Sequence, residues 1–222
     1  MKILNTVLDI IFPVNCIACG KNGADLCQKC FFDCPAAERE SAKWIFPIFE
    51  YRHPPVKKAI WLLKYKSKKG IINIFTEAMY GKIVEELSEL SQMENFRDPI
   101  LIPIPLSPKR KRERGFNQAE LLCKKLIELD NNTQNDTRLN LKLETNVLIK
   151  PKDTEHQARI KDRQKRLKNL TGSFSVKNKE KIIGKNIILI DDVSTTGATF
   201  NEARKTLKQA GARKIIAFAI AH

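Results

Sequence analysis

Apolar residues in this chain fall into two kinds of run. Short continuous blocks stand at residues 100–105 (ILIPIP), 187–190 (IILI) and 215–220 (IIAFAI). Blocks of this length suit strands covered on both faces of a parallel sheet. Between them the spacing is helical. Residues 117–129 and 201–211 fit helices, the second with Ala203, Leu207 and Ala210 on one face and Gly211 as a C-terminal stop. Strand followed by helix therefore occurs twice, which predicts an α/β fold with a mostly parallel sheet flanked by helices. The 222 residues suit one domain of ordinary size plus a small appendage, and 42% hydrophobic content is enough for a core. We divide the chain into residues 1–42 and 43–222 on this basis.

The block at 187–190 runs straight into Asp191 and Asp192. Val193, Ser194, Thr195, Thr196, Gly197, Ala198 and Thr199 follow, before a helix expected to open near Asn201. In open α/β sheets ligands sit beyond the carboxyl ends of the strands, where the acid pair is expected at exposed positions. Small hydroxyl residues and a glycine ahead of a helix offer a phosphate backbone N–H groups and the positive end of the helix dipole. Carboxylates beside a phosphate would repel it, so the acids need another task. They can accept hydrogen bonds from sugar hydroxyls, or hold Mg²⁺ directly or through water. Hydroxyl-binding acids next to a phosphate cradle describe a site for ribose 5-phosphate. The competing reading is an ordinary strand–turn–helix with Asp as turn residue and Thr as helix cap. Acid pair, hydroxyl run and glycine together favour the site.

Near the start of the chain, Cys16-x-x-Cys19 and Cys27-x-x-Cys30 are separated by seven residues. Two such pairs on tight knuckles place four thiolates in tetrahedral reach of one zinc ion. The alternative, two disulfides, needs an oxidising compartment. Residues 1–13 are only a short amphipathic stretch broken by Asn5 and Asp9, with no cleavage pattern, and no run approaches membrane-spanning length. Zinc is therefore favoured. Four thiolates leave no open coordination position, so the metal would be structural, letting about forty residues fold as a module. Cys34 is a spare thiol that could replace Cys30, and Cys123 reads as a core residue.

Charge adds a partner class. A net charge of +15 and a pI near 9.6 point to polyanions, nucleic acid first, with a generally basic background as the alternative. The cations cluster at residues 109–114 (KRKRER), at 159–168 (RIKDRQKRLK), and as Lys57, Lys58, Lys64, Lys66, Lys68 and Lys69 around Trp61 and Tyr65. Basic residues interleaved with aromatics can follow a phosphate backbone and stack bases. For Trp61 and Tyr65 themselves, a core-facing helix stripe with Ile60 and Leu62 is the better reading. The first cluster reads as a positive loop. Lys109, Arg110, Arg112 and Arg114 offer cations to an anion, Gly115 allows a sharp turn, and Asn117 caps the next helix. Whether that anion is a pyrophosphate or a DNA phosphate stays open.

These features occur together in one family. The double CxxC, the proline-framed Pro103-Ile104-Pro105, the run Arg114-Gly115-Phe116-Asn117-Gln118-Ala119 and the acid–hydroxyl loop resemble the competence protein F (ComF/ComFC-like) group. Thr154, Gln157, Arg163 and Asn169, spaced before Phe174, match its pattern too. The resemblance runs from Cys16 to the C-terminus, with residues 130–145 as a polar departure read as a surface loop or loosely ordered excursion. It implies a phosphoribosyltransferase-type sheet with a small N-terminal four-cysteine zinc module. It also implies that Asp191 and Asp192 hold the ribose 2′- and 3′-hydroxyls of phosphoribosyl pyrophosphate (PRPP), bound with Mg²⁺, while residues 195–199 hold the 5′-phosphate. The role implied is in natural transformation, handling incoming single-stranded DNA on the cytoplasmic side beside DNA-uptake or recombination-mediator proteins, with the membrane reached through the competence machinery. The alternative is an active phosphoribosyltransferase moving ribose 5-phosphate from PRPP to a nitrogen base. No catalytic residue and no base pocket can be identified from the sequence.

Overall fold

The computed structural model describes residues 14–38, 42–66, 68–133, 138–151 and 172–222. The stretch 1–13, the basic run at 159–168 and the spaced Thr154, Gln157, Arg163 and Asn169 lie outside the described residues. The expected apolar blocks are strands. β1 (Ile45–Phe49), β2 (Ile100–Pro103), β3 (Lys142–Leu143), β6 (Asn186–Val193) and β7 (Lys214–Ala221) form one sheet in the order β1-β7-β6-β2-β3. Every pairing in it is parallel, with Leu101 beside Ile188 and Ile188 beside Ile216. β4 (Leu148–Ile149) and β5 (Ser175–Val176) make a separate antiparallel pair.

Side chains alternate across the sheet, as the two-residue period of a strand requires. Ile188, Ile190, Ile216, Phe218 and Ile220 pack with helices α2 (Pro54–Lys66), α3 (Lys69–Glu94) and α5 (Gln118–Asn132), through residues such as Leu63, Phe75, Met79 and Leu122. Ile187, Leu189, Ile215, Ala217 and Ala219 face the other way and pack on Phe200, Ala203 and Leu207 of α6 (Ala198–Gln209). Each large apolar side chain so buried contributes about 1.5–3 kcal/mol. Both faces are covered, which is why the strands read as unbroken apolar runs.

Chain order makes a crevice. From β6 the chain crosses through α6 to β7 on one side, and from β2 it crosses through α5 to β3 on the other. The neighbouring carboxyl ends of β2 and β6 therefore flank a topological switch point, the usual ligand position in such sheets.

Several expectations need correction. The acid pair lies inside β6 rather than beyond it, and Asp192 is buried. Helix α6 opens at Ala198, not near Asn201, because Gly197 takes a left-handed φ of 67° and serves as its N-cap. KRKRER is not a loop but the short helix α4 (Pro108–Arg114), with Ser107 accepting from Arg110 N and Pro108 in the first turn. Trp61 and Tyr65 do not face the core: α2 buries Val56, Ala59, Ile60 and Leu63, leaving both aromatics 51% exposed. Residues 138–145 are not a loose excursion. Buried Asp130 accepts from the N–H groups of Leu139 and Leu141 and from the Tyr80 hydroxyl, which guides the chain into β3 at the sheet edge.

Candidate functional site

A cavity of about 260 Å³ opens at the switch point. β6 brings Asp191, Asp192 and Val193 to it, the following loop and helix bring Thr195 and Thr199, and the end of β2 brings Ile104 and Pro105. Asn117 fixes this last segment: its Nδ2 donates to Ile104 O at 3.0 Å while its Oδ1 caps α5 by accepting from Ala119 N at 3.1 Å. Gly115, at φ 79°, ends α4 with a turn that L side chains resist. The helix so placed sends Arg110 and Arg114 into the cavity, where Arg114 Nη1 donates to Gln118 Oε1 at 3.0 Å.

The two carboxylates have different environments. Asp192 is buried and takes an ion pair from Lys64 Nζ at 3.0 Å, while its Oδ2 has no hydrogen-bond partner among the described residues. A buried acceptor left open beside a cavity fits a donor from a bound hydroxyl, or a cation. Asp191 accepts from the Asp192 N–H at 2.8 Å. Burial first, then the charge of Asp192, push its pKa up to about 7, against the opposing pull of that N–H, Lys64 and Arg114. Around this pair stand four cations, Lys64, Arg110, Arg114 and Lys150, against two carboxylates. The cavity is thus built for an anion that also carries hydroxyl groups.

Beside it lies a hollow of about 20 Å³ walled by residues 193–200, including Ser194, Thr196, Gly197 and Ala198. Thr196 Oγ1 accepts from Ala198 N at 3.4 Å, and the loop is tied to β7 by Ser194 N donating to Ala221 O at 2.9 Å. The hollow faces the N-terminus of α6, where amides and the helix dipole favour a phosphate. Lys109, Arg112 and Gly115 line neither space, so of the expected cation cluster only Arg110 and Arg114 reach the cavity. Tyr51 and Lys150 were not singled out by the sequence, since no local pattern marks them, and Gln118 stood out only as a member of the run 114–119. Lys64 stood out only as one of many lysines, and its spacing along α2 carries no hint of Asp192.

The four cysteines converge as their spacing predicts. The sulfurs of Cys16, Cys19, Cys27 and Cys30 lie within 4.8 Å of one another, with Cys19 and Cys27 3.7 Å apart. Tetrahedral thiolates at about 2.3 Å from a zinc ion would be roughly 3.8 Å apart, so the cluster fits that metal. Cys34 stands aside, its thiol donating to Cys30 O at 3.2 Å, and Cys123 is fully buried in the core. Against the desolvation that burial imposes, backbone N–H groups of Cys19, Cys27 and Ala18 bring the Cys16 thiol down to about 6. Hydrogen bonds that the Cys30 thiol donates to Cys27 and Cys19 hold its proton and push its pKa up to about 12. Four thiols in one shell ionise together only when a cation joins them. The cluster is anchored to the rest of the chain: Cys16 and Leu26 belong to the core shared with α2 and α3, and Asp25 pairs with Lys68 at 2.8 Å.

Comparison with known proteins agrees with this geometry. Residues 143–222, which hold the acid pair and the hydroxyl loop, match the phosphoribosyl transferase domain. The chain is 33% identical over 156 residues to competence protein ComFC of Bacillus subtilis, covering 70% of this chain and 55% of that protein. It is 34% identical over 124 residues to competence protein F of Haemophilus influenzae, covering 54% and 49%. It is 25% identical over 162 residues to the DNA utilization protein YhgH of Escherichia coli O157:H7, covering 73% and 65%. The chain spans about half to two thirds of the length of these relatives. No helix among the described residues is long and apolar enough to cross a membrane. The parallel sheet with its acid pair at the switch point, the cysteine cluster and these relatives support a phosphoribosyltransferase-like protein of the competence protein F family.

Proposed function

We propose that this protein binds PRPP with Mg²⁺ at the switch-point cavity and engages single-stranded DNA during DNA uptake. The observation that carries it is one cavity joining an acid pair with an open buried acceptor, a phosphate cradle and four cations. Asp191 and Asp192 accept the ribose hydroxyls, residues 195–199 receive the 5′-phosphate, and Arg110, Arg114 and Lys150 meet the pyrophosphate. Mg²⁺ would neutralise part of the pyrophosphate charge there. Zinc on Cys16, Cys19, Cys27 and Cys30 holds the N-terminal module, residues 1–42, against the domain formed by residues 43–222. The net charge of +15 and the names of the relatives, competence and DNA utilization proteins, support the DNA role. In this reading the protein works on the cytoplasmic side, beside DNA-uptake or recombination-mediator proteins.

Calorimetric titration with PRPP and Mg²⁺ tests the small-molecule half. Binding that weakens at least tenfold with ribose 5-phosphate alone, and disappears in Asp192→Asn, is expected; equal affinity for both ligands would remove the pyrophosphate assignment. An active phosphoribosyltransferase is the second reading, favoured by the same cations, which would stabilise a departing pyrophosphate. Release of pyrophosphate from PRPP in the presence of nitrogen bases separates the two.

A further inference from the structure

Large exposed apolar side chains are few among the described residues, and two of them are neighbours. Trp61 and Tyr65, one helical turn apart on the outer face of α2, are each 51% exposed, with ring centroids 5.5 Å apart. They line a groove of about 480 Å³ with Tyr51, Pro54, Lys57 and Arg114. The rest of α2 buries its apolar side chains normally, so helix packing does not account for the pair. Among the described residues no carboxylate lines the groove, whereas Lys57, Lys58, Lys64 and Arg114 do. Lys58 is engaged with Ile17 O, but Lys57 projects to solvent at the rim. Flat aromatic faces bordered only by cations suit a ligand that alternates rings with phosphates.

The groove also shares a wall with the PRPP cavity. Tyr51, Lys64 and Arg114 line both. The Arg114 guanidinium lies 5.6 Å from the centre of the Tyr65 ring while the same side chain reaches Gln118 in the cavity. Lys64 carries the ion pair to Asp192.

We infer that the Trp61–Tyr65 groove stacks the unpaired bases of single-stranded DNA, and that it shares Arg114 and Lys64 with the PRPP cavity so that the two ligands oppose each other. The inference rests on the DNA and PRPP reading above and assigns it a surface and a sign. Two anions drawing on the same two cations each weaken the other's hold. Linkage makes the effect reciprocal, at about five- to tenfold in either affinity.

The test uses the full chain, a labelled oligothymidylate read by fluorescence anisotropy, and calorimetry with PRPP and Mg²⁺ in parallel. Trp61→Ala is expected to weaken DNA about tenfold, the loss of one stacking face. Its salt dependence should match wild type because no phosphate contact is removed, and its PRPP affinity should be unchanged. Trp61→Phe should restore most of the binding. Saturating PRPP should weaken the wild-type DNA complex, and oligothymidylate should weaken PRPP by the same factor. Unchanged DNA affinity in Trp61→Ala overturns the groove assignment while the proposed function stands. Thymidine competing as well as the oligomer makes the groove a free-base site and overturns its occupant. A DNA complex indifferent to PRPP overturns the shared cations. Wild-type protein that binds no oligothymidylate overturns the DNA role along with the inference.

Discussion

Asp191→Asn should make the ligand-free protein more stable at neutral pH while destroying its proposed ribose site. Asp191 is partly buried beside Asp192, and its pKa rises from 3.8 to about 7. Between those values the folded chain holds a proton that the unfolded chain has lost. Stability from this residue is therefore whole below about pH 4 and lost as pH rises to about 7. A shift of about 3 units converts to about 4 kcal/mol, and water in the cavity screens the partly exposed carboxylate, leaving about 1–2 kcal/mol. Asparagine keeps an oxygen for the Asp192 N–H and carries no charge. Its melting temperature should exceed wild type by about 4 °C near pH 8, and the gap should shrink as pH falls and close only below about pH 4, where Asp191 is protonated in the folded and the unfolded chain alike. Thermal unfolding of both proteins across this range measures it. A gap that is constant with pH, or a variant less stable at pH 8, would refute the reasoning. A ligand that needs Asp191 ionised should also release a proton on binding near neutrality, which calorimetry in buffers of different ionisation enthalpy reads directly.

Cys16→Ser should cost the zinc ion and the packing of Cys16 and Leu26 in the core, about 2–5 kcal/mol; retained metal by atomic absorption would mean other ligands. Asp130→Ala strands the partly buried amide of Leu139 and the buried amide of Leu141 and should cost about 2–4 kcal/mol in urea unfolding, with a loss below about 1 kcal/mol arguing against the anchor. Arg114→Ala should weaken PRPP about tenfold, as expected for a lost charge-assisted hydrogen bond, whereas Arg112→Ala should leave it unchanged because Arg112 does not line the cavity. Equal effects in calorimetry would place both arginines on the ligand.

What the sequence discloses here is periodicity and local spacing. The apolar blocks marked β2, β6 and β7 because double burial removes alternation, and CxxC spacing marked the sulfur cluster because a knuckle is a local shape. Asn117 was legible as a cap for the same reason. Long-range pairings were hidden. Asp130 read as one polar residue in a polar stretch, since its amide partners lie nine and eleven positions on. The helix start at Ser107-Pro108 was not read, because the density of charge after it suggested a positive loop. Trp61 and Tyr65 share a helical face with one another rather than with Ile60, and an apolar pair on that spacing looks like core until the opposite stripe, Val56, Ala59, Ile60 and Leu63, is seen to be buried.

The division of labour within the site follows from the same topology. The matched phosphoribosyl transferase domain covers residues 143–222 and so contains both acids and the cradle, but not the counter-ion of Asp192. That comes from Lys64 on α2, and Arg110, Arg114, Gln118 and Tyr51 also come from the first 118 residues. A buried carboxylate needs a partner for its charge, and Lys64 supplies it to Asp192. Its neighbour Asp191, without an ion pair among the described residues, is the one whose charge depends on what enters. The two acids are adjacent in sequence, yet one is paired with a lysine of a distant helix and the other is not. The acid pair proposed to recognise the sugar is therefore local to β6, while the cations Lys64, Arg110 and Arg114 around it are assembled from α2 and α4.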